Sequence, residues 1–278
     1  MGHQEGMGEK SIPASRRIME ALTEWLAKLA APYLPPKRVF RTQDTFGWEF
    51  TEHTPEALLV GKAVRMVSGV RAALILADQG YTAECRSLLR MVSDYSAEVI
   101  FIIVGLTHGP LNSKQIRFIQ DYFRPLPVTQ EEWDQHVPRG YVGRKDLLKG
   151  LSKLAQEANQ DPQRLLNLRN IRNQYYDRYV HGDYHSTMEM YSGKSNRFMV
   201  DGHESEHYRE ILRRAVAGRL SEVLVTMQLE ALQAGMRDLV DQIEEARREL
   251  ETSGECRLEV EIDENQGEPV KHSVPQDQ

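Results

Sequence analysis

Cysteine is nearly missing from this chain: Cys85 and Cys256 are the only two among 278 residues. Two thiols are too few for a disulfide framework or a four-thiolate zinc site. Cys85 falls in an apolar-periodic run and is expected in the core. Long apolar runs are missing too. The longest, Val99-Ile-Phe-Ile-Ile-Val-Gly-Leu106, is far short of the ~20 residues a spanning helix needs, so it predicts a buried core segment and no membrane partner. A basic excess is also lacking. The net charge is −6, and residues 251–278, with eight acids against two bases, account for all of it. The neutral body that remains argues against a duplex-DNA surface built on phosphate neutralisation. No phosphate-cradling glycine loop, dinucleotide fingerprint or Gly-x-Ser-x-Gly elbow occurs, and no cofactor is expected. Met1-Gly-His-Gln-Glu5 lacks the basic-then-apolar pattern of an export signal, so the expected compartment is the cytoplasm.

What is present is helical periodicity. Ile18, Leu22, Trp25, Leu26 and Leu29 share one face of a helix over 15–31, which Pro32, Pro35 and Pro36 end. Residues 37–54 are a connector with room for one extended stretch. Thr54-Pro55-Glu56 starts a helix that runs to Gln79 and stops at Gly80. The next helix, from Thr82 to about Leu106, is the most apolar, and Gly80 between the two predicts an antiparallel hairpin. Further helices are expected at 112–124, 131–135, 144–158 and 161–181. A loop or small hairpin follows at 182–203, then a long helix at 205–250 bent at Gly218 or Gly235. Arg257–Ile262 alternates like an edge strand, inside a tail acidic enough to stay disordered. The organisation read here is an N-terminal helix and connector (1–54), an all-α antiparallel bundle (55–250) and an acidic tail (251–278).

The densest chemistry is Arg172-Asn-Gln-Tyr-Tyr-Asp-Arg-Tyr-Val-His181-Gly182. At 3.6 residues per turn Gln174, Arg178 and His181 share a face, with Asp177 at its edge, while Tyr175 and Tyr179 form a second stripe. A histidine can shuttle a proton, and an arginine one turn away can hold a phosphate or developing negative charge. Arg and His at a helix C-terminus also offset the macrodipole with no function implied. On the apolar helix, Arg86, Arg90 and Asp94 are spaced by four along one face. Together with Tyr176, Tyr179, Arg178 and His181 they are expected to form a buried polar centre. Asp94 should then lie against the helix ending at His181, and its loss should be severe.

Gly80-Tyr-Thr-Ala-Glu-Cys-Arg-Ser-Leu-Leu-Arg90, followed by Asp94 and later by Tyr179-Val-His181-Gly182, resembles a bacterial all-helical family. It is the domain-of-unknown-function family numbered five-six-seven-seven, and the similarity spans about residues 55–235. Asp94 stands where the family pattern has glutamate, and Asp177 or Arg178 where it has serine. That family is in turn similar to the HEPN helical-bundle superfamily, many of whose members are metal-independent ribonucleases. Their signature of arginine, four to six residues, then histidine fits Arg178 and His185, although Tyr179 replaces the usual asparagine. The resemblance implies a helical-bundle fold, a stress or phage-defence setting, and a catalytic set of Arg178 with His181 or His185.

His203-Glu-Ser-Glu-His207 matches the zincin pattern in its letters, but it sits where a helix begins, and Asp201 with Glu204 makes an ordinary capping box. His181, His185, His203 and His207 form two pairs spaced by four, which would make a transition-metal site if the intervening loop folded back. The main expectation is a binding or regulatory module with a protein or RNA ligand, with a homodimer as a further option. The alternatives are an endoribonuclease and, lesser, the four-histidine metal site.

Overall fold

In the computed structural model, residues 12–40, 46–125, 127, 129–135, 142–192 and 195–256 are described. Among them are ten α-helices and two two-stranded ribbons: an all-α bundle, as the periodicity predicts. The helices are α1 (Ala14–Ala30), α2 (Pro55–Gln79), α3 (Thr82–His108), α4 (Ser113–Phe123), α5 (Gln130–Asp134), α6 (Arg144–Glu157), α7 (Pro162–Val180), α8 (Tyr184–Met188), α9 (Glu206–Gln233) and α10 (Arg237–Thr252). The strands are β1 (Lys37–Phe40) with β2 (Phe46–Glu49), and β3 (Tyr191–Ser192) with β4 (Arg197–Phe198). The connector at 37–54, read as holding one extended stretch, therefore holds a hairpin. None of the helices is long and apolar enough to cross a membrane among the described residues.

The central pair is α2 and α3. Thr54 accepts a hydrogen bond from the Ala57 N–H, and Pro55 occupies a first-turn position where its missing N–H costs nothing. Gly80 ends the helix in the left-handed region at φ 81°, with Tyr81 N–H donating to Leu76 and Gly80 N–H to Ala77. A side chain at Gly80 would collide with the His203 backbone, whose N–H donates to the Gly80 carbonyl at 2.8 Å. Facing pairs run oppositely along the two helices. Cys85 lies at Ala73, Arg65 at Tyr95 and Lys62 at Glu98, so the hairpin is antiparallel.

α9 packs against α2, α3 and α10, and α6 and α7 lie against α3. The long final helix expected at 205–250 is broken into α9 and α10. Gly235, at φ 72°, provides the left-handed residue that lets the chain reverse. Gly218 stays inside α9. The core is continuous from Leu22 and Trp25 on α1 through Leu58, Met66, Leu89, Ile102 and Leu224 to Ile243 and Leu250, so α1 belongs to the same core as the bundle. Cys85 is fully buried, as expected, and burial pushes its thiol up to about 12, which leaves it unreactive.

The strand expected at Arg257–Ile262 and most of the acidic tail lie outside the described residues. The start of that tail is tied down. α1 begins after Pro13, which has no side chain to cap it. The Glu255 carboxylate accepts from the Ala14 N–H at 2.8 Å and the Ser15 N–H at 3.2 Å, so a residue 241 positions away caps the helix. Glu249 pairs with Arg17 beside it. The expectation that everything beyond residue 254 is loosely attached is corrected accordingly: the N-terminus of α1 attracts a carboxylate, and Glu255 is in reach. Truncation after Cys256 should leave the melting temperature nearly unchanged. Glu255→Ala should lower stability by about 1 kcal/mol, the usual cost of a lost helix cap, measured by denaturant unfolding.

Candidate functional site

The polar centre lies between α3, α7 and α9, in two tiers. The upper tier joins α3 to α7 and α8. Arg86 is 6% exposed, and its guanidinium lies over the rings of Tyr175 and Tyr179, 5.1 and 4.7 Å from their centroids. It donates to the Tyr179 hydroxyl and to Glu189 at 2.5 Å, and Tyr179 donates to the same carboxylate at 2.7 Å. Burial raises the Tyr179 phenol well above its ordinary value, so it remains a hydroxyl that can donate. One helical turn on, the Arg90 Nε donates to Asp177 on α7 at 2.6 Å, while its Nη1 pairs with Asp94 on its own helix.

The lower tier rests on one carboxylate. Glu222 of α9 meets Arg169 and Arg172 of α7, each at 3.2 Å, and Arg219 one turn earlier on α9. Burial pushes the Glu222 carboxyl up, but Arg219, Arg169 and Arg172 together pull it further down, to about 2. Arg169 also donates to the Ser93 carbonyl at 2.6 Å, fastening α7 to α3. Asn173 and Glu222 both come within 3.3 Å of the Ser93 hydroxyl. Arg219 is 2% exposed, and among the described residues its Nε and Nη2 find no hydrogen-bond acceptor. Its guanidinium lies 5.3 Å from the Tyr176 ring centroid, so the ring's negative face takes part of the charge instead.

Arg86, Arg90, Tyr176 and Tyr179 are thus brought together as the sequence predicts, and Asp94, Arg178 and His181 are not. The Asp94 side chain is 49% exposed and lies at the rim, where it pairs with Arg90. Asp177 takes the position expected for it, because it projects from α7 directly onto Arg90. Gln174 and His181 face solvent, so the face they share with Arg178 is the outer side of α7. Arg178 is committed to Asp183 at 3.0 Å, the residue that caps α8. His185 lies exposed on α8. Neither the cleft of about 410 Å³ between α4 and α6 nor the smaller one beside Gly202 includes Arg178, His181 or His185.

The histidine pairs do not converge. Among the described residues, no group of three or more histidine, cysteine or acidic side chains is placed to hold a metal ion. α9 begins at Glu206, so His203 precedes the helix, and its ring stacks on Tyr208 at 4.0 Å. The capping box expected from Asp201 and Glu204 is replaced by an N-cap at Ser205 with no side-chain bond. Glu204 pairs with Arg197 instead.

The sequence reading missed Arg169, Arg219, Glu222, Ser93 and Glu189 as members of the centre. A signal existed for two of them. Arg219 and Glu222 sit among Val216, Leu220, Val223 and Leu224, where a helix buried on that side leaves no route to water for a charge. The same signal marks Glu230, which is 4% exposed and whose two carboxylate oxygens lack any partner among the described residues. Burial raises its carboxyl well above the ordinary value, so it is held as the neutral acid.

No family model, no curated protein and no solved structure matches this chain.

Two expected outcomes separate the buried groups from the rim. Glu222→Ala should cost about 3–5 kcal/mol by leaving buried cations unpaired, whereas Asp94→Ala should cost under about 1 kcal/mol. Because the folded Glu222 carboxyl is depressed, its contribution is present above the ordinary glutamate pKa of 4.5 and is lost as pH falls from there toward 2. Urea unfolding of both variants at pH 7 and pH 4 checks the order and the sign.

Glu230 has the opposite sign. Its folded carboxyl is raised, so its contribution is intact below the ordinary value of 4.5 and is lost as pH climbs from there through the raised value. Glu230→Met should remove that decline and raise the melting temperature at pH 8 more than at pH 5. An equal rise at both would show that the carboxyl is not buried neutral.

Proposed function

We propose that this chain is a binding or regulatory helical-bundle module that works through protein contact on the outer face of α7 and the α7–α8 elbow. The observation that carries the reading is that α7 is inside out. Its buried residues are Arg169, Asn173, Tyr176 and Tyr179, while Leu168 and Ile171 are 41% and 48% exposed. An apolar stripe turned to water, with polar groups turned to the core, is the pattern of a surface that another chain covers. At the elbow itself Val180, Tyr184 and Met188 are also exposed, Tyr184 to 73%.

The polar centre supports this face from beneath. Ser186 N–H donates to Asp183 at 2.8 Å, its hydroxyl donates to the Arg178 carbonyl at 3.0 Å, and Glu189 is held by Arg86 and Tyr179. A surface fixed in advance loses little entropy on binding. The family resemblance and a cytoplasmic setting are consistent with a module of this kind, as an analogy of fold alone.

The rival is a metal-independent endoribonuclease using Arg178 with His181 or His185. Those three side chains do lie along one elbow, but Arg178 would have to leave Asp183 to hold a phosphate. Incubation of labelled single-stranded RNA with wild type, His181→Ala and His185→Ala decides between the two. The module reading expects no cleavage by any of them. Cleavage by wild type that disappears in either variant would establish the ribonuclease. On the binding side, light scattering and partner capture should show an association that Ile171→Asp abolishes while the melting temperature holds.

A further inference from the structure

The hairpin of β1 and β2 carries a second surface, independent of the α7 elbow. Its register pairs Lys37 with Glu49, Arg38 with Trp48, Val39 with Gly47 and Phe40 with Phe46. Side chains alternate across a strand, so Arg38, Phe40, Phe46 and Trp48 all project from one side. Phe40, Phe46 and Trp48 are 61%, 47% and 63% exposed. Their rings are evenly set, with centroids 6.3 Å apart for Phe40–Phe46 and 6.0 Å for Phe46–Trp48. The Arg38 guanidinium lies over two of them, 3.9 Å from the Phe46 centroid and 4.6 Å from that of Phe40. Lys37, Val39, Gly47 and Glu49 project from the other side, where Val39, Gly47 and Glu49 are half-buried and Lys37 is exposed. Tyr33 and Phe50 meet edge to face at 6.4 Å at the foot of the hairpin.

We infer that the Arg38–Phe40–Phe46–Trp48 face binds single-stranded nucleic acid by stacking unpaired bases on its rings. Three solvent-facing aromatics within four paired positions form an apolar patch whose rings, inclined 57° (Phe40–Phe46) and 89° (Phe46–Trp48) to one another, each offer a separate polarisable face or edge to a base. Every base has a π-face, so such a platform accepts bases without reading their edges. The charge fits the same ligand. Among the described residues the face holds one cation, Arg38, and no acidic side chain, while Lys37 and Glu49 pair on the other side of the ribbon, so the local charge on this face favours a phosphodiester chain. A guanidinium stacked on rings still points its N–H edges outward, where phosphate oxygens or base edges can accept. A second copy of this chain fits less well. A two-fold face-to-face contact of two ribbons would bring the Arg38 guanidiniums of both copies to one small interface with no acid on that face. Duplex nucleic acid fits less well too, since its bases are already stacked. The neutral charge of the body outside the acidic tail is no obstacle, because a stacking platform needs only local charge.

The test is fluorescence anisotropy with the full chain and 5′-labelled 12-nucleotide probes: oligouridylate, oligothymidylate and a blunt 12-base-pair duplex, at low salt. The expected result is binding of the single strands at least ~10-fold tighter than the duplex. Trp48→Ala and Phe46→Ala should each weaken it by roughly 5- to 100-fold, the range for loss of one stacking ring. Their melting temperatures should be unchanged, because both rings are exposed. Arg38→Gln should flatten the salt dependence by about 0.7 in log–log slope, as for one phosphate contact on a single strand. Tighter binding of the RNA than of the DNA probe would identify RNA as the ligand, and equal binding would leave single strands of either sugar. Absence of single-strand binding at micromolar protein, or binding that Trp48→Ala and Phe46→Ala leave intact, overturns the inference. So does sedimentation showing a dimer that dissociates in Trp48→Ala while no oligonucleotide binds. None of these outcomes bears on the α7 elbow, and the thymidylate arm is blind to RNA cleavage.

Discussion

One carboxylate, Glu222, holds three guanidiniums inside a helical bundle, and the attachment of α7 to the remaining helices follows from it. Arg169 and Arg219 are almost wholly removed from water, and Arg172 remains partly exposed at the edge. Each would otherwise carry a desolvation penalty of several kcal/mol. Two of the three come from α7 and one from α9, so neutralisation is possible only when α7 lies against α9 at one register. The Ser93 carbonyl, taken by Arg169, adds α3 to the same knot. Apolar packing alone would allow α7 to slide, because its buried face presents few apolar side chains. A charge knot of this kind contributes little net stability compared with hydrophobic residues of equal volume. Its consequence is specificity of arrangement.

The upper tier extends that logic toward the surface. Arg90 and Asp177 fix the middle of α7, and Arg86 with Tyr179 and Glu189 fixes its end and the start of the elbow. Successive arginines on α3, one turn apart, thereby orient α7 and α8 in sequence. Arg169 and Asn173 share the inner side of α7 with Tyr176 and Tyr179, Leu165 and Leu166 are half-buried, and Leu168 and Ile171 are exposed. An exposed aliphatic pair and a buried polar cluster are thus two faces of one helix.

Much of the fold was legible from local chemistry. The start of α2 at Thr54-Pro55 and its stop at Gly80 were readable because cap and turn residues act over three or four positions. The unity of the final helix was misjudged. Gly218 and Gly235 look alike in sequence, and only the reversal into α10 selects Gly235. The ribbon at 37–49 was invisible as a pair, since neither strand alternates apolar and polar residues in the usual way. Its aromatics face water. In the polar centre, Arg86, Arg90, Tyr176 and Tyr179 were legible because spacing along one helix is a local property. For Glu222, burial was legible from its apolar neighbours on α9, but its α7 partners were not, because they are about 50 residues away and pairing across a bundle leaves no mark in spacing. Arg178 and His181 were drawn in for the same reason: they are neighbours of Asp177 and Tyr179 in sequence, but a helix turns neighbours to opposite sides.

Glu230 shows how local the arginine knot is on α9. Two turns beyond Glu222, it is more deeply buried, yet among the described residues its carboxylate has no hydrogen-bond partner. A glutamate without a counter-charge survives burial by keeping its proton, and a glutamate with three counter-charges survives by losing it. The same side chain on the same helix therefore shifts in opposite directions, and the difference is set by whether arginines reach it. Arg169 and Arg172 of α7 and Arg219 of α9 reach Glu222, and no cation of the described residues is hydrogen-bonded to Glu230. A displacement of α7 along α9 would strip Glu222 of two partners at once, and the cost of doing so keeps the outer apolar stripe and the elbow in one position.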